Sequence, residues 1–397
     1  MKPIIETAKG SDCRELLDML ATCFRVGNPT HPEFDFLYPD IFLATDEAMR
    51  WHRVIREDGR IVACVGHYPL TLHLGEVTLK VFGIGQVSCL PEFRSRGYMT
   101  ALMHDACAIM DASGGHLSWL GGRRDRYARF GWEVAGTTLR SVINPTALPP
   151  PLPTLTVTQA PIAPGSAETI WPLFTASPRR CNQTKAEWEL HHRRGAPQTL
   201  WTAWEGEGAR GQGLGASDGT ASGGKILKAY AVTQEKSQEI LEHGGDTASV
   251  LSLFASILKS QPTLAVHYLH GIMPESQALW KASEWTTHCL ANLRILNLQA
   301  LIDAYAPILR PRIPAKGERT FQSVSEKCGV TLAIADSPHS ATLGGTPTET
   351  LTLDRLDMVR LLFGPLSPSH ALSLPPSLAW LDQVFPLPFD LPLPMHV

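Results

Sequence analysis

From Lys80 to Asp111 the chain reads KVFGIGQVSCLPEFRSRGYMTALMHDACAIMD. An apolar strand pattern runs into a turn carrying Arg94, Arg96 and Gly97. A helical pattern follows, with Met99, Leu102, Met103, Ala106 and Met110 on one face. Strand, basic turn and helix in direct succession make a unit of a layered α/β fold. The backbone amides opening a helix are unsatisfied donors at the positive end of its dipole, so arginines and a glycine there favour an anion. A solvated turn uses the same residues, and the stretch by itself leaves both readings open.

The rest of the chain divides around this unit. At 397 residues it is too long for one ordinary core, and two or three domains are expected. Residues 145–154 hold five prolines. Neither a helix nor a sheet interior accepts such a run, so 146–157 reads as an extended linker. Ahead of it, SDCRELLDMLATCF is an amphipathic helix with Ser11 or Asp12 as its cap and Leu16, Leu17, Leu20 and Phe24 as its stripe. Residues 60–90 are strand-like, divided by hairpin signals at Tyr68-Pro69 and Gly75-Glu76. SGGHLSWLGG is a turn into a short strand. These make a first domain over 1–145.

The second region, 158–290, carries helix patterns at SAETIWPLFTAS, at TKAEWELHHRRG with Trp188 as its anchor, and at DTASVLSLFASILKSQP. TLWTAWEG and KILKAYAVTQ read as strands. Between them the glycine-rich 206–224 reads as a flexible, dispensable insertion, because no Gly-Lys-Ser/Thr precedes a helix there. The third region, 291–397, has strand patterns at 319–324 and 328–335, then ETLTLDRLDMVRLLFG as a strand feeding a helix. A proline-rich tail, FPLPFDLPLPMHV, closes it.

Composition and missing motifs exclude several function classes. A net charge of −3 is not that of a nucleic-acid binder. No apolar run reaches the length of a membrane span, and MKPIIETAKG lacks the apolar core of a signal peptide, so a cytoplasmic location is expected. The eight cysteines form no CxxC pair, which reads as reduced, mostly buried thiols. His191 and His192 are adjacent and would point to different sides of a helix, so no metal site is expected. Ser88 stands where a dinucleotide fingerprint needs its third glycine, a P-loop is missing, and so is a GxSxG elbow.

What remains is a strand, a basic RxxG turn, a helix, and Tyr127 in RYARFGWE some 30 residues on. This combination resembles the GNAT acetyltransferases. Met99 stands where the wider family often has glycine or alanine. PEFRSRGYMTALM, YARFGWE and ETLTLDRLDMVRLLFG together make the whole chain similar to the enhanced-intracellular-survival (Eis-type) subgroup. The resemblance implies an α/β (α+β) fold: tandem GNAT-like domains with mixed, splayed sheets, and a C-terminal sterol-carrier-like domain. It implies acetyl-CoA as co-substrate, without metal, and a homo-oligomer, a hexamer among its forms. Carried over by position, coenzyme A contacts fall on Val87, Ser88 and Cys89, on Ser95, Arg96, Gly97, Tyr98, Met99 and Thr100, and on Gly122 and Arg123, while the strand–basic turn–helix order adds Arg94 as a further charge for the same ligand. Tyr127 takes the place of the general acid, and the carboxylate of Val397 that of the base.

The expected function is therefore an N-acetyltransferase acting on a primary amine by direct attack. The acceptor would be a polyamine, an aminoglycoside-like molecule or a lysine-bearing protein. A lipid or small-molecule binder with an inactive acetyltransferase lobe, and a tandem-GNAT acyl or aminoacyl transferase, stay as alternatives. Read bottom-up, Tyr127 and Phe130 also suit core aromatics, Cys89 suits a buried strand thiol rather than a nucleophile, and Phe130-Gly131-Trp132 suits packing. Glu33, Asp35 and Asp40 read as solvated loop acids, and as the best candidates for attracting a cationic amine.

Overall fold

One mixed sheet of thirteen strands runs through most of the chain. Its strands are β1 (Ile5–Thr7), β2 (His52–Glu57), β3 (Arg60–Leu74), β4 (Val77–Cys89), β5 (Leu117–Leu120), β6 (Glu133–Ile143), β7 (Thr156–Pro161), β8 (Arg179–Cys181), β9 (Gln198–Glu205), β10 (Ile226–Gln234), β11 (Glu239–Gly245), β12 (Ala265–Tyr268) and β13 (Ser283–Ile295). The computed structural model describes residues 3–206, 225–234, 238–268, 271–312, 319–326, 329–336, 347–392 and 395. Neighbours follow the order β1-β2-β3-β4-β5-β13-β6-β12-β11-β10-β9-β7, and β8 pairs with the far end of β3. A separate antiparallel sheet is built from β14 (Arg319–Glu326), β15 (Gly329–Asp336) and β16 (Pro347–Leu353).

Strand alternation gives the large sheet two apolar faces. On β4, Val77, Leu79 and Val81 enter one core, while Phe82 and Ile84 enter another. Helices α1 (Cys13–Arg25) and α2 (Tyr98–Ala112) cover the second face with Leu16, Leu20, Leu102 and Met103, all fully buried. The first face is covered by the C-terminal region. Leu301, Leu362, Phe363 and Phe389, also fully buried, pack there against Leu72, Leu79 and Leu117. Each such side chain contributes about 1.5–3 kcal/mol relative to exposure.

Several local expectations hold in detail, and two do not. The β3–β4 turn falls at Gly75, whose φ of 61° needs a glycine. No turn forms at Tyr68-Pro69, and β3 runs straight through. Pro69 pairs with Phe82 on the β4 side, between the end of β2 at Gly66 and the start of β8 at Leu72. Among the described residues no strand pairs with the other edge there, so a missing N–H breaks no ladder. Asp12 stands at the start of α1, yet its carboxylate makes no cap. It accepts from Lys9 N at 2.8 Å and pairs with Arg56 at 2.8 Å instead.

The proline-rich linker is extended but not free. Leu148, Leu152 and Leu155 pack on the core around the helix Thr247–Ile257, and Ser252 Oγ donates to Pro153 O at 2.7 Å. Trp188 is fully buried, with Nε1 donating to Glu242 Oε1 at 2.7 Å, and Thr184 and Glu187 cap its helix reciprocally. The rings of His191 and His192 diverge as their adjacency required, the first to Asp40 and the second to Glu242. Strand β13 spans the position at which the sequence divides second region from third, and it inserts between β5 and β6 of the first. Of the glycine-rich stretch only Gly206 lies within the described residues. The described cysteines are free thiols, with Cys289 exposed. Among the described residues, no helix is long and apolar enough to cross a membrane.

The tail is tied down from inside. Arg179 and Asp390 are nearly sealed from solvent, and their side chains meet at 2.6 Å. Arg179 also donates to Leu391 O at 2.9 Å, and Tyr305 donates to Pro388 O at 2.7 Å. Removing one partner leaves an uncompensated buried charge. Arg179→Met is expected to cost about 3–5 kcal/mol, and Arg179→Met with Asp390→Leu to recover most of it. Denaturant unfolding checks this; equal losses in the single and double variants would mean that the pair does not hold the tail.

Candidate active site

The sheet opens between β4 and β5. The two pair in parallel only from Val81 with Leu117 to Ile84 with Leu120. There β5 ends, while β4 continues through Gly85, Gln86, Val87, Ser88 and Cys89. On its other side the register against β3 slips: Gly66 faces Gly85 but Cys64 faces Ser88. Gln86 and Val87 thus oppose the single residue Val65, with Gln86 left-handed at φ 51°. A bulge of this kind bends its strand and increases its twist, here turning β4 away from β5.

Beyond the bulge, Leu90 N donates to Val62 O at 2.9 Å. Alternation then points the amides of Cys89 and Val87 to the free edge of β4. The opposite wall of the opening is β13. Its residues 292–295 pair with β5, and its earlier residues continue past the end of β5 along β6. Asn292, buried at the junction, donates from Nδ2 to Gly122 O at 3.0 Å and Leu120 O at 3.4 Å.

The free edge leads into the turn singled out by the sequence. Ser95 and Gly97 are both left-handed, at φ 64° and 82°. They curl the backbone on either side of Arg96, and alternation of left-handed residues is the kind of turn that can present successive amides to an anion. Ala101 N donates to Gly97 O at 3.0 Å, so the amides of Tyr98, Met99 and Thr100 precede the first helical bond of α2. Among the described residues no side chain caps this helix, which runs for 15 residues. A Cβ on Gly97 would meet nothing within 4 Å, so the space in front of the turn is open.

Three guanidinium groups surround it. Arg94 Nε donates to Cys89 O at 3.3 Å, Arg96 lies over the Phe93 ring at 4.8 Å, and Arg129 Nη2 donates to Thr100 Oγ1 at 3.3 Å. Arg129 was missed by sequence reading, since only the fold brings it to the start of α2. Arg123 is less available, because Asp125 holds it at 2.7 and 3.0 Å. Ser88 turns its side chain inward to Met19, so it serves the edge through position alone. Tyr98 is buried with its hydroxyl on the Glu57 carboxylate, and Met99 is half-buried against the first-lobe core.

Tyr127 follows β5 through the exposed Gly121 and Gly122. Gly122 has a φ of 107°, and a Cβ there would come within 3.2 Å of the Tyr127 ring. Tyr127 itself is 9% exposed, and its hydroxyl has no hydrogen-bond partner among the described residues. Burial pushes its pKa above the usual tyrosine value, opposed by Arg126, so it keeps its proton at neutral pH. Burial likewise raises the Cys89 thiol, with Arg94 opposing, which fits a protonated strand thiol. Phe130 and Trp132 are packed side chains, as their alternative reading held. Val397 lies outside the described residues; Met395, buried, is the last of them.

One loop acid is not solvated. Asp40 lies 2.7 Å from Arg194 Nε and 3.0 Å from His191 Nε2, both from the second region. Burial raises its pKa, but His191 and Arg194 outweigh this and hold the carboxyl far below the usual range. Asp40 is thus a structural anchor for its loop and not a free charge for a ligand. Glu33 is exposed and bonded to Arg25 at 2.5 Å, and Asp35 accepts from Phe36 N at 3.0 Å.

Residues 5–135 match the family described as an acetyltransferase (GNAT) domain. Three solved structures share the fold over almost the whole chain. The GCN5-related N-acetyltransferase from Anabaena variabilis is 15% identical, with 98% of each chain covered and a TM-score of 0.61. That from Kribbella flavida is 14% identical, covering 96% of this chain and 95% of its own at 0.62. Eis1 from Mycobacterium abscessus is 12% identical, covering 99% of this chain and all of its own at 0.62. No curated protein matches the sequence.

The turn and its arginines suit a diphosphate. A charge-assisted contact of this kind is worth about 1.5–3 kcal/mol. Arg96→Ala and Arg129→Ala should each weaken a diphosphate-bearing ligand roughly ten-fold, and Gly97→Val, which strains the left-handed position, by more. Calorimetric titration with coenzyme A at low and high salt measures this; affinities unchanged in all three variants would remove the anion site.

Proposed function

We propose that this acyltransferase moves an acetyl group from acetyl-CoA to a primary amine of a small polyamine- or aminoglycoside-like molecule, or of a lysine side chain. The observation that carries the reading is the continuity of two donor sets: the free amides of Val87 and Cys89 lead directly to the uncapped start of α2 with Arg94, Arg96 and Arg129. An extended, amide-bearing ligand that ends in a diphosphate fits such a track. The strand edge can bond the pantetheine arm as an added strand would, and Ser95, Gly97 and the first amides of α2 can hold the phosphates. When bound, acetyl-CoA supplies a thioester whose sulfur leaves as a thiolate.

The protein's part is to hold the thioester in the opening and to manage two protons. The amine nitrogen attacks the carbonyl carbon, the carbon–sulfur bond breaks, and the thiolate takes a proton from Tyr127. An alkyl amine has a pKa near that of lysine, about 10.4, so it must lose a proton before it attacks. The Eis-type resemblance assigns that base to the carboxylate of Val397. The buried anchoring of Phe385, Leu387, Phe389 and Leu391 supports a tail with a definite course. The three-stranded sheet β14–β16 with the helix Arg355–Phe363 supports a sterol-carrier-like third domain, and the same resemblance supports a homo-oligomer.

Tyr127→Phe should lower kcat by about 10²-fold or more while leaving acetyl-CoA affinity nearly unchanged. Two glycines appended after Val397 should be nearly as damaging. Thiol release from acetyl-CoA with an amine panel reads both out. Full turnover in Tyr127→Phe would remove the proton donor, and full turnover in the extended protein would return the base to a side chain or to water.

A further inference from the structure

Gln86 carries a long side chain on a left-handed backbone in the middle of a strand, a place glycine would fill without strain. It is 5% exposed, and its side-chain amide meets the Tyr68 hydroxyl. The same hydroxyl lies 3.0 Å from His52 Nε2, and His52 Nδ1 lies 3.2 Å from Met49 O. The Asp40–Arg194 pair is near enough for its charges to bear on that hydroxyl. A buried polar chain thus runs from the Met49 carbonyl to the bulge that opens the sheet.

Counting protons along this chain decides which end of Gln86 faces outward. The Met49 carbonyl can only accept, so the ring proton of His52 sits on Nδ1. The ring is fully buried, without a carboxylate against it among the described residues, and burial pushes its pKa down to about 4. At neutral pH it is therefore uncharged, and Nε2 is a bare acceptor. The one hydroxyl proton of Tyr68 goes to Nε2. With the Gln86 carbonyl oxygen also against that hydroxyl, as the heavy atoms stand, one proton would have to serve two acceptors. The two ends of a primary amide have the same shape, so half a turn about its last bond keeps every contact and resolves the conflict. The NH₂ group then donates to the Tyr68 oxygen, and the carbonyl oxygen takes the outer position. That position has no partner among the described residues and is not sealed from solvent.

We propose that Gln86 binds the acceptor substrate: its side-chain carbonyl oxygen takes a hydrogen bond from the attacking amine, and Tyr68 and His52 hold it in that orientation. The inference rests on the amine-acetylation reading above. Gln86 lies two residues past Ile84, the last position paired to β5, and so at the mouth of the opening. Around it the turn offers guanidinium cations, which repel an ammonium, and the strand edge offers amides together with carbonyls, of which Cys89 O already accepts from Arg94. An amine head bears only N–H groups and needs an acceptor, which this amide supplies at the place where the strand bends.

The test compares Gln86→Leu, Gln86→Glu and Gln86→Gly in the full-length protein. The acceptor is whichever of spermidine, kanamycin or a lysine peptide the wild type acetylates best. Gln86→Leu removes the acceptor and should raise the amine KM about ten-fold or more, with acetyl-CoA affinity by calorimetry within about two-fold. Gln86→Gly, which suits the left-handed backbone, should show the same split. Gln86→Glu keeps the outer oxygen, and burial favours its protonated form, whose inner O–H donates to Tyr68 as the amide NH₂ does, so it should hold the amine KM within about three-fold. An unchanged amine KM in Gln86→Leu overturns the proposal, and so does a Gln86→Glu that fails as Gln86→Leu does. Equal losses of acetyl-CoA affinity in the leucine and glycine variants would make the residue structural and also overturn it. A wild type that binds coenzyme A but acetylates no panel member defeats the function reading itself, which separates that failure from one confined to Gln86.

Discussion

The architecture depends on a strand pairing that stops early. Four residues of β5 pair with β4, and then the ladder ends while β4 runs on. The bulge at Gln86 and Val87 bends the free part away, so the amides of Val87 and Cys89 remain available. An unpaired edge inside a sheet is costly unless something covers or uses it. Here it opens toward a helix start whose own amides are unpaired. Two sets of orphan donors on one line are difficult to explain as packing and simple to explain as a binding track.

The wall opposite that edge comes from far along the chain. Strand β13 leaves the second region and joins β5 and β6, so residues near 290 complete a sheet begun by residue 5. Asn292 ties the end of β5 by its two carbonyl contacts, and Arg294 reaches Asp111 on α2 at 2.7 and 2.9 Å while donating to Phe130 O at 3.1 Å. The opening is thereby framed by three separate stretches of chain. The opening of the first region is thus completed by a strand from a later part of the chain.

Buried ion pairs mark the seams between regions. Arg194 and His191 take Asp40, Arg360 and Arg124 share Glu133, and Arg179 takes Asp390. Arg124 and Glu133 are nine residues apart in the first region, but the other partners are distant in sequence, and each pair is at least partly withdrawn from water. Desolvation makes such pairs weak as net sources of stability, but a displaced partner would leave a buried charge unpaired. They therefore specify one relative placement of the regions more than they strengthen it. Asp40 shows the difference: exposed, it would be a ligand-attracting acid, but Arg194 and His191 have already taken it.

The sequence by itself determined the local units, because their causes are local. Apolar alternation marked β3 and β4, the 3.6-residue stripe marked α1 and α2, and Gly75 and Gly97 marked turns that need a positive φ. The proposed anion site was legible for the same reason: the order of strand, arginines, glycine and helix is written in consecutive residues. Pro69 and Asp12 were misread because their outcomes depend on neighbours absent from the local sequence, an unoccupied strand edge in one case and Arg56 in the other. Only the tertiary structure decided that β13 enters the first sheet, that Arg129 joins the turn and that Asp40 is engaged. It also decided that Gln86 carries a buried hydroxyl behind it. Each of these is a pairing across tens or hundreds of residues, and long-range pairing follows from which faces and edges remain free once the local elements have formed.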